Sequence, residues 1–155
     1  MTRAFLALGS NLGDRVGYLR DAMAAIPDLV AESPVFETEP VGGPDDQGPY
    51  LNMVVQLETD MTPRQLLALC RRLETAAGRE RIVHWGPRTL DADIIWMDGV
   101  QVQDNDLRVP HPRFRERPFV LAPLATLAPD LVPPGWEQAF DKLGVWEIGP
   151  LAPSE

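Results

Sequence analysis

Several things are scarce in this chain, and each absence removes a class of chemistry. There is one cysteine, Cys70, so no internal disulfide can form, and a reducing, cytoplasmic setting is expected. Cys70 stands among Leu66, Leu67, Leu69 and Leu73 on a helical pattern, the setting of a buried structural thiol. His84 and His111 are the only histidines, which leaves no Cys/His zinc constellation. The only lysine is Lys142, and no Gly-x-x-x-x-Gly-Lys-Ser/Thr loop occurs, so the chain is not a P-loop nucleotide binder. No serine sits in a nucleophile elbow. No apolar run approaches the roughly 20 residues of a membrane span. The apolar start, Ala-Phe-Leu-Ala-Leu (4–8), is too short for a secretory signal and reads as a strand.

The 155 residues suit one domain, expected over 1–149, with a Pro-rich tail at 150–155 expected to be disordered. An apolar content of 45% with 24% charged residues is that of a soluble globular protein. The net charge of −9 argues against a nucleic-acid binder, which needs a broad basic surface. The distribution of charge is more telling. Of fourteen basic residues, ten fall between Arg64 and Arg117 and all ten are arginine. That clustering predicts a local pocket for a small polyanion on an acidic body.

Alternation predicts strands over 3–9, 30–39, 50–59 and 90–97. Leu12, Val16, Leu19, Met23 and Ile26 recur at helical spacing behind Asn11 or Asp14 as the cap. Thr62-Pro63 starts a second helix that Gly78 ends. Residues 40–49 form a loop, Asp98-Gly99 a hairpin turn with its return at 100–103, and 136–143 a short closing helix. Sixteen prolines concentrate in 110–134 and at the C-terminus, where extended or looped chain is expected, with partial helix over 117–127. The order β-α-β-β-α-β predicts an α+β sandwich with helices packed on a mostly antiparallel sheet. The early Leu-Gly-Ser-Asn-Leu-Gly (8–13) reads as a tight strand-to-helix turn.

Chemistry concentrates in Arg79 to Asp93, where three arginines precede Asp91 and Asp93. Carboxylates at i and i+2 of a strand share one face. So close a pair favours a neutralising cation. Mg²⁺ suits, since it binds through one or two carboxylates plus substrate phosphates. Arginine forks hold phosphate oxygens bidentately. An Asp-x-Asp can equally be a solvated turn and an arginine run a plain surface face. Here, though, Ile94-Ile95-Trp96-Met97 carries the acids straight into a buried strand.

Six motifs, in order and across nearly the whole chain, resemble the 6-hydroxymethyl-7,8-dihydropterin pyrophosphokinases of folate biosynthesis. They are Leu-Gly-Ser-Asn-Leu-Gly (8–13), Glu-Thr-Glu-Pro-Val-Gly (37–42), Tyr-Leu-Asn (50–52), Trp-Gly-Pro-Arg-Thr-Leu-Asp-Ala-Asp-Ile (85–94), Val-Pro-His-Pro-Arg (109–113) and Arg-Pro-Phe-Val-Leu-Ala-Pro-Leu (117–124). The resemblance implies a ferredoxin-like α+β fold and transfer of pyrophosphate from ATP to the pterin hydroxymethyl oxygen, with AMP released. This is the reaction of a 2-amino-4-hydroxy-6-hydroxymethyldihydropteridine diphosphokinase.

By the same resemblance Asp91 and Asp93 bind two Mg²⁺ ions, and Asp93 also orients or deprotonates the acceptor hydroxyl. Arg79 and Arg88 stabilise transition-state charge, while Glu74, Arg81, Ile94, His111 and Arg117 complete the ATP site. Trp85 belongs to a loop that closes over the substrates. Tyr50 and Phe119 stack the pterin, Asn52 pairs with its polar edge, and Glu39, Pro40 and Gly42 line it. Two departures stand out: only Ile82-Val83-His84 separates Arg81 from Trp85, and Arg108 occupies the place of a small hydroxyl residue. A monomer acting on small molecules is expected. The rival readings are another phosphoryl or nucleotidyl transferase, and a catalytically silent pterin or nucleotide binder.

Overall fold

A computed structural model of the chain describes residues 1–11, 14–38, 50–78, 90–137 and 145–151. Its spine is a pair of long strands, β1 (Thr2–Ser10) and β4 (Tyr50–Thr59), in antiparallel register from Thr2↔Thr59 to Ser10↔Leu51. Both alternate side chains to two covered faces, so the middle of each is apolar on both, Ala4 to Leu8 in β1 and Met53 to Val55 in β4. Helix α1 (Arg15–Ala25) follows β1, with Asp14 as its cap: the carboxylate accepts from Gly17 N–H at 3.0 Å. Helix α2 (Pro63–Ala76) follows β4 through a full capping box between Thr62 and Gln65. It ends at Ala77, with Gly78 beyond at φ +70°, which glycine accepts without strain.

Between α1 and β4 lie β2 (Leu29–Glu32) and β3 (Val35–Thr38), both paired with β4. The single strand expected over 30–39 is therefore broken. Pro34 has no N–H to give, and Ser33 bridges the gap. Its backbone N–H donates to Val54 O at 2.9 Å, and its hydroxyl accepts from Val54 N at 2.9 Å.

After α2 the chain enters β5 (Asp91–Met97), which pairs with the other side of β1. The sheet order β5-β1-β4-β3 with all neighbours antiparallel is ferredoxin-like, as expected. The turn at Asp98-Gly99 forms, with Val100 N–H bonded to Met97 O. Its return does not pair with β5, however. Residues Val102–Gln103 (β6) pair with Arg108–Val109 (β7) in a separate two-stranded ribbon. Beyond a 3₁₀ turn at Phe114–Glu116 the Pro-rich stretch is helical: α3 (Pro118–Leu127) begins with a proline at its first position, where no N–H is needed. A further strand, β8 (Val145–Gly149), pairs with β3 and closes that edge, which the sequence pattern did not announce. The helix expected over 136–143 lies mostly outside the described residues, as do 152–155 of the tail.

The sheet divides two apolar layers. On one face α1 and α2 pack Leu19, Leu66, Leu69 and Leu73 against Leu6, Leu8, Met53 and Val55. On the other, Val120, Leu121 and Leu124 of α3 meet Phe5, Val54 and Ile95 beside Phe114.

Candidate functional site

Period-two geometry turns the α3 face of the sheet into the site. In β1 the side chains on that face are Phe5, Ala7 and Gly9, falling in size towards the C-terminal end of the strand. Gly9 is opposite Asp91 on one side and Asn52 on the other, and Asn52 is opposite Phe36 of β3. One step back, Ala7 is flanked by Asp93 and Val54. The two acids therefore share a face at the sheet's β5 edge, with Asp91 half-buried and Asp93 exposed. Two strand spacings away, on the order of 10 Å, stand Asn52 and, diagonally, Tyr50. Between them on this face stand only the small residues Ala7 and Gly9.

Gly9 falls both in the strand expected over 3–9 and in the 8–13 motif read as a tight turn. It lies within the strand and its φ is not positive. A Cβ there would meet Asn52 Oδ1 at 3.0 Å and Tyr50 Cδ1 at 3.7 Å. The glycine is needed for close approach, and the available signal was a glycine inside an alternating strand. Thr38 was also missed. Its hydroxyl accepts from Asn52 Nδ2 at 2.7 Å, giving the buried amide the partner its position demanded.

The segment before α3 approaches the same edge. His111 N–H donates to Ile95 O at 2.9 Å, two residues along from Asp93. Its Nδ1 accepts from Arg113 N–H at 3.1 Å, which assigns the ring proton to Nε2. Burial, then the charges of Arg117 and Arg113, lower its pKa to about 4 from the ordinary 6.5. At neutral pH His111 is therefore an uncharged Nε2–H donor. Arg117 lies 5.7 Å from the ring centroid of Phe119, which packs on the α3-side core.

Glu74 reaches β5 from behind. Buried on α2, it accepts from the N–H of Ala92, between the two acids, at 3.1 Å. Burial raises the Cys70 thiol far above its usual range, with Asp93 and Glu74 adding to the effect, so Cys70 is an inert packing group as expected. The Ile94 side chain belongs to the helix-side core, opposite the acids, so only its backbone is available on the face that carries them. Arg79, Arg81, Trp85 and Arg88, with Glu39, Pro40 and Gly42, lie outside the described residues.

The arginine cluster is divided. Arg64 donates to Asp104 at 2.6 Å and Asp106 at 2.8 Å, an exposed network that ties α2 to the β6–β7 turn. Among the described residues no three His, Cys, Asp or Glu side chains converge as a closed metal cage. The donor set beside Gly9 is two carboxylates on one face. That suits Mg²⁺ completed by substrate oxygens and does not suit a structural zinc.

Fold and site geometry together define a ferredoxin-like α+β domain with two carboxylates at one edge of its sheet. The fold recurs in the crystal structure of Plasmodium falciparum HPPK-DHPS (TM-score 0.60, 15% identity), where it covers 84% of this chain and 40% of that one. Residues 5–129 match the family model for 7,8-dihydro-6-hydroxymethylpterin-pyrophosphokinase, and the chain belongs to that family. It is similar to the 2-amino-4-hydroxy-6-hydroxymethyldihydropteridine pyrophosphokinases of Methylorubrum extorquens and Bacillus subtilis. The first is 47% identical over 85% of this chain and 86% of its own length. The second is 43% identical over 92% and 87%.

Proposed function

We propose that the chain transfers a pyrophosphoryl group from ATP to 6-hydroxymethyl-7,8-dihydropterin in folate biosynthesis, giving the pterin diphosphate and AMP. The observation that carries this reading is the row Asp91–Gly9–Asn52. It supports the reading by setting a carboxylate and a buried amide on one face with only a glycine between them. Membership of the family supplies the substrate identities.

In this reading the pterin lies over Gly9, stacked between Tyr50 and Phe119, with its polar edge on Asn52. Glu39, Pro40 and Gly42 would add backbone contacts to the pterin. The hydroxymethyl oxygen attacks the β-phosphorus of ATP. A new O–Pβ bond forms, the bond from Pβ to the α,β-bridging oxygen breaks, and AMP leaves with that oxygen. Asp91 and Asp93 would hold two Mg²⁺ ions, whose charge, when bound, offsets that of the phosphates. Asp93 would also orient the acceptor hydroxyl or take its proton as the new O–P bond forms.

His111 donates through Nε2–H, and its neutrality at pH 7 makes it a fixed dipole. Arg117, Arg79 and Arg88 balance the charge that grows on the transferring group's oxygens. Glu74, Arg81 and the Ile94 backbone complete the nucleotide site, and Trp85 belongs to a closing loop. Action as a cytoplasmic monomer, folded as one domain over 1–149, is part of the same proposal.

The test is to incubate protein, ATP, Mg²⁺ and the pterin, then separate the nucleotides. AMP formed in step with pterin diphosphate, and lost in Asp91→Ala, is the expected result. ADP would identify an ordinary kinase and overturn the assignment. Tight ATP binding without turnover would favour the silent binder.

A further inference from the structure

We infer that Glu74 is a positioning residue: it fixes the backbone that joins Asp91 to Asp93, and with it the spacing of the two carboxylates for a divalent cation. The inference rests on the metal reading of those two acids given above. Among the described residues β5 is an edge strand, paired with β1. In an antiparallel ladder successive residues turn their N–H groups to opposite sides. Ala92 turns its N–H to Glu74 Oε2 at 3.1 Å, away from β1. Asp91 and Asp93 therefore face the ladder, opposite Gly9 and Ala7. The Glu74 carboxylate ties the open side of the strand midway between the two acids.

Asp91 is the first residue of β5, and strand ends fray unless they are tied down. Glu74 and Ala92 are both buried, at 7% and 5% exposure, so water does not readily take the place of the carboxylate. Its support is rigid, because Cys70 and Leu73 of α2 pack in the helix-side core. Mg²⁺ demands near-ideal octahedral geometry, so two ligands that drift apart lose affinity even with both acids intact. Groups that hold a metal's ligands from outside its coordination sphere matter for that reason. Among the described residues no third acid joins Asp91 and Asp93 in a ligand cluster, so Glu74 acts through Ala92.

The experiment is calorimetric binding of the α,β-methylene analogue of ATP, once with saturating Mg²⁺ and once in EDTA. The ratio of the two affinities measures how far the metal couples protein to nucleotide. A direct contact between Glu74 and the nucleotide shifts both affinities alike and cancels in that ratio. Glu74→Leu removes the acceptor, and Glu74→Asp keeps the charge but withdraws it by one methylene. Glu74→Gln keeps an acceptor oxygen at full length without the charge. The ratio should fall about tenfold in Glu74→Leu and in Glu74→Asp, as when a group behind a metal ligand is lost. Glu74→Gln should stay within about threefold of the parent, a neutral acceptor having replaced a charged one. Hydrogen exchange at the Ala92 amide should quicken in the first two variants and stay slow in the third. The inference is overturned if the order reverses, with Glu74→Gln impaired and Glu74→Asp like the parent, because charge and not the bond would then matter. It is equally overturned if Ala92 exchange quickens while the ratio holds, which marks a purely structural tie. Glu74→Asp and Glu74→Gln decide between these outcomes even where Glu74→Leu does not fold. A ratio that Asp91→Ala leaves at the parent value sinks the metal reading itself, a distinguishable failure.

Discussion

The two faces of the central sheet are built from the same strands to opposite ends. On the helix side, successive inward residues of β1 are Ala4, Leu6 and Leu8, each at most 1% exposed and locked against α1 and α2. On the α3 side the series is Phe5, Ala7, Gly9: the core starts with a full-sized aromatic and tapers to nothing. Where it vanishes, the flanking strands supply Asp91 and Asn52 in place of apolar groups. A two-residue period therefore lets one strand build a packed core with its even positions and a tapering, polar-flanked face with its odd ones. The polar groups at the tapered end have their geometry fixed by the packed side behind them.

That contrast breaks most sharply with a pair of substitutions. Leu8→Ala removes a fully packed side chain from the helix face and should cost about 2–5 kcal/mol in chemical denaturation. The folded fraction should still turn over normally. Asp91→Ala should leave the denaturation midpoint close to the parent's and lower kcat at least about a hundredfold. If Leu8→Ala altered kcat at saturating substrate as strongly, the two faces would not be separable in the way the packing indicates.

Next in size is filling the taper. Gly9→Val puts a Cβ 3.0 Å from Asn52 Oδ1 and adds two methyls where the proposed reading lays the pterin. Pterin binding should fall by more than about tenfold, since overpacking of this kind costs roughly 1–3 kcal/mol even where neighbours relax. Affinity for ATP alone should be little changed. Loss of both affinities together would show a distorted sheet and not a filled slot.

A smaller effect belongs to His111. Its pKa of about 4 in the folded chain lies below the unfolded 6.5, chiefly through burial. As pH falls through 6.5 the unfolded chain takes the proton first, so stability is lost between pH 6.5 and 4 and recovered above. The Tm should decline across that window, and His111→Gln should flatten that part of the decline. An NMR titration placing the His111 midpoint at or above 6.5 would contradict the buried, cation-flanked setting.

Much of this arrangement is legible in the amino-acid order alone. The β1 and β4 spans, the Thr62 cap and the Asp91/Asp93 face follow from local periodicity and capping chemistry, in which each residue's partners lie a few positions away. What escapes depends on distant partners. Nothing near 100–103 shows that β6 will choose β7 over β5, and nothing near 145–149 shows that an edge of β3 is waiting. The break at Ser33-Pro34 is visible as a proline, but its repair by the Ser33 hydroxyl needs Val54 opposite. That Gly9 has to be glycine is not legible locally, because its reason is Asn52, 43 positions on, brought beside it only by the β1–β4 register.

The arginine cluster gives the finest test, because it is one feature along the chain and is not one feature in the fold. Ten arginines between 64 and 117 suggest a single polyanion pocket. Arg64 instead spends its guanidinium on Asp104 and Asp106, at half exposure, in a tie between α2 and the β6–β7 turn. Exposed networks of this kind are screened by solvent and salt and carry little of a fold's stability. Arg64→Ala should therefore lower Tm only slightly, by an amount that shrinks further as salt is raised, and leave KM for ATP and kcat at the parent values. Arg117→Ala, whose guanidinium acts on Phe119 and His111, should raise KM for ATP or lower kcat with no matching change in Tm. If Arg64→Ala and Arg117→Ala impaired turnover alike, the cluster would be one electrostatic unit after all, acting at long range. That impairment would then have to fade with ionic strength over a Debye length of about 10 Å at 0.1 M salt.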